Sequence, residues 1–355
     1  MPNSEASAGM QDALHVEWQL AEVTSPHLAH AVSVVAAKDI PYIPHANRLQ
    51  NLSIYLPKTP ETSNLIGAPA SSLPSPDAEP VLPRYHVYIH GGAWRDPQLT
   101  SKSIEPAVAH AFSAADAPAP ISAIASINYT LSPYPTHATL PYDAIKGNHL
   151  DRAREAVHPQ HVGDVLHGLA LLHSFGLTDQ SYILSGHSAG ACLAFQATLQ
   201  RPRHYGLDYL PEAPCPAAIL GLNGLYDLPA LVNGVGLGAS HEHLRDEYER
   251  FLSNAFGADK SKWPAASPAR FDPAGIAERL RESRAPRLVV LDQSAEDQLV
   301  PMNQSQRLET NLSKVSGLRV VEGHRCTGKH DAPWEQGVMI WESLQNIFRL
   351  LREQK

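Results

Sequence analysis

The chain has 355 residues, of which 43% are hydrophobic and 18% charged, and its formal net charge is −8. This composition is typical of a globular protein with a sizeable core, and the mild acidity without long charge runs argues against a nucleic-acid surface or a basic membrane face. No run of about 18 apolar residues is present, so we expect no membrane-spanning segment and no membrane partner.

Cysteine usage predicts a reducing compartment. The three cysteines, Cys192, Cys215 and Cys326, show no C-x-x-C spacing, and an odd number cannot form a complete disulfide framework. Residues 1–11 lack the basic segment followed by an apolar stretch that marks a secretory signal. We therefore expect a cytoplasmic protein, and a homodimer is left open.

Strand-like and helix-like segments alternate along the chain. Residues 52–56 alternate apolar and polar side chains, as a half-exposed strand does, whereas 85–90 are typical of a more buried strand. The next predicted elements are helix 101–115, strand 121–127, helix 161–175, strand 182–184, helix 190–199, strand 217–220, helix 241–255, strand 287–291, helix 304–312, strand 318–321 and helix 339–352. This order predicts one α/β domain over 1–355, with a mostly parallel central sheet and helices on both faces.

Two segments interrupt the alternation and are predicted as surface insertions. Residues 57–83 are crowded with Pro, Ser, Ala and Gly, which indicates an irregular loop. Residues 148–160 are charged and lack a clear apolar stripe. Catalytic groups in such sheets gather at the carboxyl ends of the strands, where the following motifs also lie.

The strongest local signal is Gly-His-Ser-Ala-Gly at 186–190. It follows a predicted strand and opens a predicted helix, which is the context of a nucleophile elbow, a sharp turn that holds a serine exposed in a strained conformation. Glycines are needed on both sides because side chains there would clash with the adjoining strand and helix. The pattern predicts that Ser188 is a nucleophile in an α/β-hydrolase fold.

A second motif, His-Gly-Gly-Ala-Trp at 90–94, follows the strand predicted at 85–90. In this place the segment supplies a backbone N–H to an oxyanion hole, and the residue after the nucleophile supplies another. Gly91 and Gly92 are both candidates, and the choice between them stays open; Ala189 is the second donor. His90 is expected to brace the loop by side-chain hydrogen bonds.

A serine hydroxyl needs a general base, and in this fold the expected chain order is Ser, then Asp or Glu, then His. Three carboxylates follow the strand at 287–291: Asp292, Glu296 and Asp297. Asp297 is favoured because its loop position lets it reach a histidine of the next loop. Asp292 and Glu296 are expected to be solvated or capping residues.

Two histidines follow the last predicted strand. His330 lies in a turn-rich loop just before the closing helix, where the base of the triad belongs, and His324 is the alternative. Asp297 would fix the tautomer of His330, whose other nitrogen would take the Ser188 proton. There is no H-E-x-x-H motif and no G-x-G-x-x-G after a strand, so we expect no metal and no cofactor. Cys192 is expected to be packed core.

Together, the segments at 90–94, 128–133, 186–190 and 328–330 resemble those of kynurenine formamidase (arylformamidase), in particular its fungal form, an α/β-hydrolase. The likeness extends over most of the chain from Leu52 and includes 161–165 and 224–228. It implies hydrolysis of an aromatic formamide, N-formyl-L-kynurenine, through a formyl-enzyme, in tryptophan catabolism toward NAD. The leaving side of the pocket must then hold an aromatic ring, and Trp94, Tyr134 and Trp334 are candidates, with core packing as the alternative for each.

Two other functions stay open at this point. A general carboxylesterase for small acyl or aryl esters would use the same three residues. A non-catalytic binding protein on a hydrolase scaffold is disfavoured, because such proteins usually lose the nucleophile or the base.

Overall fold

The computed structural model describes residues 15–72, 82–113, 121–146, 150–233, 241–282 and 286–353. Within them the chain forms a nine-stranded sheet in the order β1-β2-β3-β5-β4-β6-β7-β8-β9. The strands are β1 (Gln19–Val23), β2 (Val32–Pro41), β3 (Asn51–Pro57), β4 (Tyr85–Ile89), β5 (Ala123–Ile127), β6 (Tyr182–His187), β7 (Ala218–Leu222), β8 (Leu288–Asp292) and β9 (Arg319–Glu322). From β5 to β9 all neighbouring strands pair in parallel, while β1, β2 and β3 form an antiparallel extension.

Helices cover both faces of this sheet. They are α1 (Pro60–Ser63), α2 (Glu105–Ser113), α3 (Gln160–Ser174), α4 (Ala189–Leu199), α5 (Leu228–Asn233), α6 (Arg245–Phe256), α7 (Pro273–Arg281), α8 (Asn303–Leu312), α9 (Ala332–Gln336) and α10 (Val338–Arg352). Successive side chains of a strand point to opposite faces, so Val87 and Tyr88 of β4 belong to two separate apolar clusters. One cluster includes residues of α3 and α4, the other residues of α2 and α10. The predicted fold class is confirmed.

The strand predicted as half-exposed is buried on both faces. β3 pairs with β2 on one side and β5 on the other, and its residues 51–56 are all buried. Its polar Ser53 lies 3.3 Å from the hydroxyl oxygen of Ser101, so a hydrogen bond compensates for its burial. The alternation of the sequence was therefore misleading here, and β1 and β2, which bring β3 inside the sheet, were not predicted.

Both predicted insertions are partly built into the domain. In 57–83 the helix α1 forms, and the N–H of Trp18 donates to the carbonyl of Ala68 at 2.9 Å, so parts of 57–72 form elements that were not predicted. Residues 73–81 lie outside the described residues, as do 148 and 149 of the second segment. In that segment Ala153 and Ala156 are buried and exchange backbone hydrogen bonds with Leu131.

The structure describes only part of the chain on which the expectations about the N-terminus, the cysteines and membrane spans depend. Residues 1–11, where no secretory signal was found, and 114–115 of the predicted helix 101–115 are outside the described residues. Cys192, Cys215 and Cys326 are all buried and free of disulfides. Among the helices in the described part of the chain, none is both long enough and apolar enough to cross a bilayer.

Candidate active site

Ser188 lies at the sharp turn between β6 and α4. Its backbone has φ = 53° and ψ = −119°, in the left-handed region of φ that residues with a Cβ rarely adopt. Two glycines make the turn sterically feasible: a Cβ on Gly186 would lie 2.2 Å from the carbonyl oxygen of Gly190, and one on Gly190 would lie 2.2 Å from that of Ile89. The turn thus sets the serine at the carboxyl edge of the sheet, in the wall of a cavity.

A hydrogen bond joins the side chains of His330 and Asp297. The Nδ1–H of His330 donates to Oδ2 of Asp297 at 2.8 Å, and both side chains are buried. The other carboxylate oxygen accepts from the backbone N–H groups of Leu299 and Val300, each at 2.8 Å. Asp297 is therefore fixed by its own loop, and it holds the imidazole with Nε2 as the nitrogen left for another partner.

The competing acid and base candidates lie elsewhere. Asp292 is buried, contrary to the expected solvated or capping role, and its carboxylate binds the loop after β9 and helix α10. Glu296 is exposed. His324 is exposed as well and faces Glu322 at 3.7 Å. The described residues thus bring one of the three carboxylates to a histidine of the next loop, and that carboxylate is Asp297.

Ser188 and His330 line the same cavity, which has a volume of about 260 Å³. Its wall comes from the loops after β4, β5, β6, β7, β8 and β9 and from helix α6. The lining residues are Gly92, Ala93, Arg95, Asp96, Leu99, Tyr134, Ser188, Leu225, Leu244, Glu247, Tyr248, Phe251, Leu299, Val300, His330 and Asp331.

One of the three predicted pocket aromatics, Tyr134, lines this cavity. Trp94 does not: its backbone has φ = 59°, and its buried ring packs edge-on against Phe256 at a centroid distance of 4.9 Å. Trp334 does not either, because its ring packs against the cluster under α10 while its indole N–H donates to Asp331 at 3.0 Å. Trp94 is a core residue and Trp334 is partly buried, and the prediction that they line the pocket was wrong.

Side-chain hydrogen bonds hold the backbone of the loop after β4 in place. The carbonyl oxygen of Gly91 accepts from the Tyr129 hydroxyl and from Nδ1–H of His90, each at 2.9 Å. Burial lowers the pKa of His90 to about 4, which keeps this donor neutral, and its ring stacks on Tyr129 at 4.4 Å. In a trans peptide the N–H points opposite to the preceding carbonyl, so the N–H of Gly92 is directed away from Tyr129. His90 braces the loop as expected.

The two glycines of this motif have different surroundings. A Cβ on Gly91 would lie 3.1 Å from Cβ of Ser188 and 2.7 Å from Nδ1 of His187, so this position is packed beneath the elbow. Gly92 and Ala93, with φ = 96° and 49°, line the cavity instead. Among the described residues, the N–H groups of Gly91, Gly92, Ala93 and Ala189 find no hydrogen-bond acceptor. Ala93 was not among the predicted donors.

Two positioning residues were missed by the sequence reasoning. The backbone carbonyl of His330 accepts from Nδ2–H of Asn223 at 2.9 Å and from Nε2–H of His187 at 2.8 Å. Burial, assisted by the nearby His330, lowers the pKa of His187 to about 4. Asn223 has φ = 45°, and its Oδ1 accepts from the N–H of Ser294 at 2.9 Å. The sequence did offer a signal for Asn223, which directly follows a strand and precedes a glycine. Asn tolerates the left-handed backbone conformation that a tight turn at the end of a strand requires.

Potential metal ligands in the described residues coincide with this site. His187, His330 and Asp331 place one ligand atom each within 4.8 Å of one another. Two of these side chains already use a ring nitrogen in hydrogen bonds, His330 to Asp297 and His187 to a carbonyl. The absence of a metal cofactor stays a prediction.

The class of the protein follows from the sheet and the turn together. A parallel sheet with a strand–turn–helix elbow at its carboxyl edge, a loop with unpaired N–H groups beside it and a histidine from a later loop are the features of one architecture. The protein is a hydrolase with the α/β-hydrolase fold. Esterase B from Lactobacillus rhamnosis has the same fold, with a TM-score of 0.57, 14% identity, and coverage of 90% of this chain and 88% of that one.

Comparison with known sequences gives the family. The "Kynurenine formamidase-like hydrolase fscH" of Fusarium equiseti is 31% identical over 270 residues, which are 75% of this chain and 83% of that protein. "Kynurenine formamidase avaC" of Aspergillus versicolor is 32% identical over 270 residues, 72% of this chain and 85% of that protein. The chain belongs to the kynurenine formamidase family, as the resemblance predicted. None of the family models compared with the chain matches it.

Proposed function

We propose that this protein hydrolyses N-formyl-L-kynurenine to L-kynurenine and formate, a step of tryptophan catabolism, with Ser188, His330 and Asp297 as its catalytic triad. The observation that carries the proposal is the His330–Asp297 hydrogen bond at the wall of the cavity that Ser188 also lines. The names of the relatives support the choice of an aryl formamide over other acyl substrates.

In the first half of the reaction, the Ser188 hydroxyl attacks the formyl carbon and its proton passes to Nε2 of His330. Asp297 stabilises the imidazolium that forms, through its bond to Nδ1–H. The negative oxygen of the tetrahedral intermediate is held by backbone N–H groups. Ala189 and Gly92 are the donors we propose, each worth roughly 3 kcal/mol of transition-state stabilisation, with Ala93 beside them.

In the second half, the C–N bond breaks as His330 protonates the departing arylamine nitrogen, which leaves a formyl ester on Ser188. Water then attacks this ester, with His330 as general base, and releases formate and the free serine. The formyl group occupies little space, so most of the cavity serves the leaving group. Tyr134 supplies an aromatic surface there for the aniline ring.

The test is release of formate from N-formyl-L-kynurenine by the wild type and by Ser188→Ala. We expect the variant to lose at least about a thousandfold in kcat, as the loss of a triad nucleophile does elsewhere. Ser174→Ala, the same change at an exposed serine of α3, is the matched control. Formate release by Ser188→Ala at the control's rate would contradict the mechanism.

Activity on an ester distinguishes this function from that of a general carboxylesterase. We expect kcat/KM on N-formyl-L-kynurenine to exceed that on phenyl acetate. Much better turnover of the ester would overturn the substrate assignment while leaving the triad in place. Failure of a fluorophosphonate to label Ser188 would instead favour a non-catalytic binding protein.

A further inference from the structure

A buried arginine lies in the wall of the cavity beside the proposed nucleophile. Arg95 follows the 90–94 loop directly, is 4% exposed and lines the cavity together with Ser188. Among the described lining residues it is the one lysine or arginine. The same wall also carries three carboxylates: Asp96, Glu247 and Asp331.

Two nitrogens of the Arg95 guanidinium have no hydrogen-bond partner among the described residues. Nη2 donates to Glu247, whereas Nε and Nη1 are buried and find no hydrogen-bond partner among the described residues. Its Cζ lies 3.7 Å from the centre of the Tyr134 ring and 5.4 Å from that of Phe251. The aromatic rings thus fix the position of the group, while each buried donor without an acceptor costs about 1–3 kcal/mol.

The charge of Arg95 is only partly neutralised. Its partner Glu247 also accepts a hydrogen bond from Arg250, an exposed residue of α6 that does not line the cavity. Two arginines therefore share one glutamate, and a positive charge remains on this cluster. A fixed guanidinium with free N–H donors is best matched by a second carboxylate, because its planar donors suit that geometry.

We propose that Arg95 binds the α-carboxylate of the substrate and so selects an amino-acid head group on the leaving side. This inference rests on the proposed function, which supplies a substrate with a formanilide at one end and a zwitterionic amino acid at the other. The wall carboxylates Asp96 and Asp331 are then available to the α-ammonium group. Arg95 is a specificity-determining residue in this account, and the reacting atoms are handled by Ser188 and His330.

The test compares two substrates: N-formyl-L-kynurenine and its decarboxylated analogue, which keeps the formanilide ring and the amine. We expect the wild type to prefer the acid. The ratio of the two kcat/KM values should fall about tenfold to a hundredfold in Arg95→Met, mainly through KM of the acid, which corresponds to one lost charge-assisted contact. Arg349→Met, the same change at an exposed arginine of α10 that does not line the cavity, should keep the wild-type ratio.

Arg95→Lys is the second variant, in case Arg95→Met does not fold, and it should give an intermediate ratio. A wild type with no preference for the acid, or an equal loss on both substrates in the Arg95 variants, would overturn the inference and leave the formamidase function intact. If the wild type hydrolyses neither formamide, the proposed function fails. Calorimetric binding of L-kynurenine and of its decarboxylated analogue to the wild type then tests the contact alone: tighter binding of the acid supports it, and equal affinity overturns it.

Discussion

The end of β8 and the loop that follows it each carry a buried aspartate, and these two aspartates have different roles. Asp292 and Asp297 are 1% and 5% exposed, and each carboxylate accepts two backbone N–H hydrogen bonds. Asp292 also accepts from one side chain, and Asp297 from two, His330 and Gln293. Burial and hydrogen bonding therefore do not tell a structural carboxylate from a proposed catalytic one. The side-chain partner distinguishes the two carboxylates, because Asp297 binds an imidazole in the cavity wall and Asp292 does not.

Asp292 connects two other chain segments to the sheet by hydrogen bonds. Its Oδ1 accepts from the N–H groups of Arg325 and Cys326 at 2.9 and 2.8 Å, and its Oδ2 accepts from the Ser343 hydroxyl at 2.7 Å. The loop after β9 and helix α10 are thereby fixed to the sheet edge. His330 lies further along the same stretch of chain, so Asp292 supports the site only through the backbone.

The largest expected effect comes from Asp297→Asn. The amide cannot accept from Nδ1–H of His330 in the same way and favours the other tautomer, so we expect kcat on N-formyl-L-kynurenine to fall roughly 10³- to 10⁴-fold. Its buried hydrogen bonds weaken as well, so we expect a loss of stability similar to that of Asp292→Asn. Steady-state kinetics and a urea unfolding curve measure both quantities. Activity within tenfold of the wild type would break the distinction between the two aspartates.

Asp292→Asn should differ from Asp297→Asn in kcat. Loss of the charge weakens three buried hydrogen bonds, so we expect the free energy of unfolding to fall by about 2 kcal/mol, while kcat per folded molecule stays near the wild-type value. The same urea curve and an active-site titration with a fluorophosphonate separate these quantities. A loss of kcat as deep as that of Asp297→Asn would mean that Asp292 is the acid of the triad.

A smaller effect is expected from Asn223→Ala, because this side chain links the two regions. It donates to the His330 carbonyl at 2.9 Å and accepts from Ser294 in the Asp297 loop. Its loss should loosen the imidazole relative to Ser188, and we expect kcat to fall about tenfold with KM nearly unchanged. An effect confined to KM would show that the residue acts on substrate binding instead.

The last prediction concerns the stability of the fold in acid. Burial lowers the pKa of His86 and of His161 to about 3, from an ordinary 6.5. The folded state keeps both neutral while the unfolded state binds protons below pH 6.5, so unfolding free energy should fall from about pH 6.5 toward pH 3, by up to about 1.4 kcal/mol per pH unit per histidine. Urea midpoints at pH 7.5, 5.5 and 4.5 measure the decline.

Variants at one buried and at one exposed histidine test the origin of this decline. His161→Gln should flatten it, and His324→Gln, at an exposed histidine, should not. Stability that is constant or rises as the pH falls from 7.5 to 5.5 would contradict the assignment of buried neutral histidines.

Much of the parallel part of the fold was predictable from the sequence. The buried strands and their helices have unmistakable apolar patterns, and β6 with α4 begins and ends close to the predicted bounds. β1 and β2 escaped detection because an edge pair has mixed burial and follows no simple period. The buried Ser53 then made β3 resemble a half-exposed strand, since a hydrogen-bonded serine in a core has the same sequence signal as an exposed one.

For the site, the order of Ser188, Asp297 and His330 along the chain was sufficient to select residues that the structure brings to one sheet edge. Side-chain direction was not predictable. Trp94 follows a left-handed turn that sends its ring into the core, while the neighbouring Arg95 reaches the cavity. No motif marks Arg95, because its place depends on Tyr134 and Glu247, which lie far apart in the sequence.

The most direct measurement is titration of the enzyme with a fluorophosphonate, with formamidase activity and the site of modification followed together. We predict that activity on N-formyl-L-kynurenine disappears in proportion to modification of Ser188, and that Asp297→Asn reacts much more slowly than Asp292→Asn. Full activity in protein modified at Ser188, or inactivation through another residue, would contradict it.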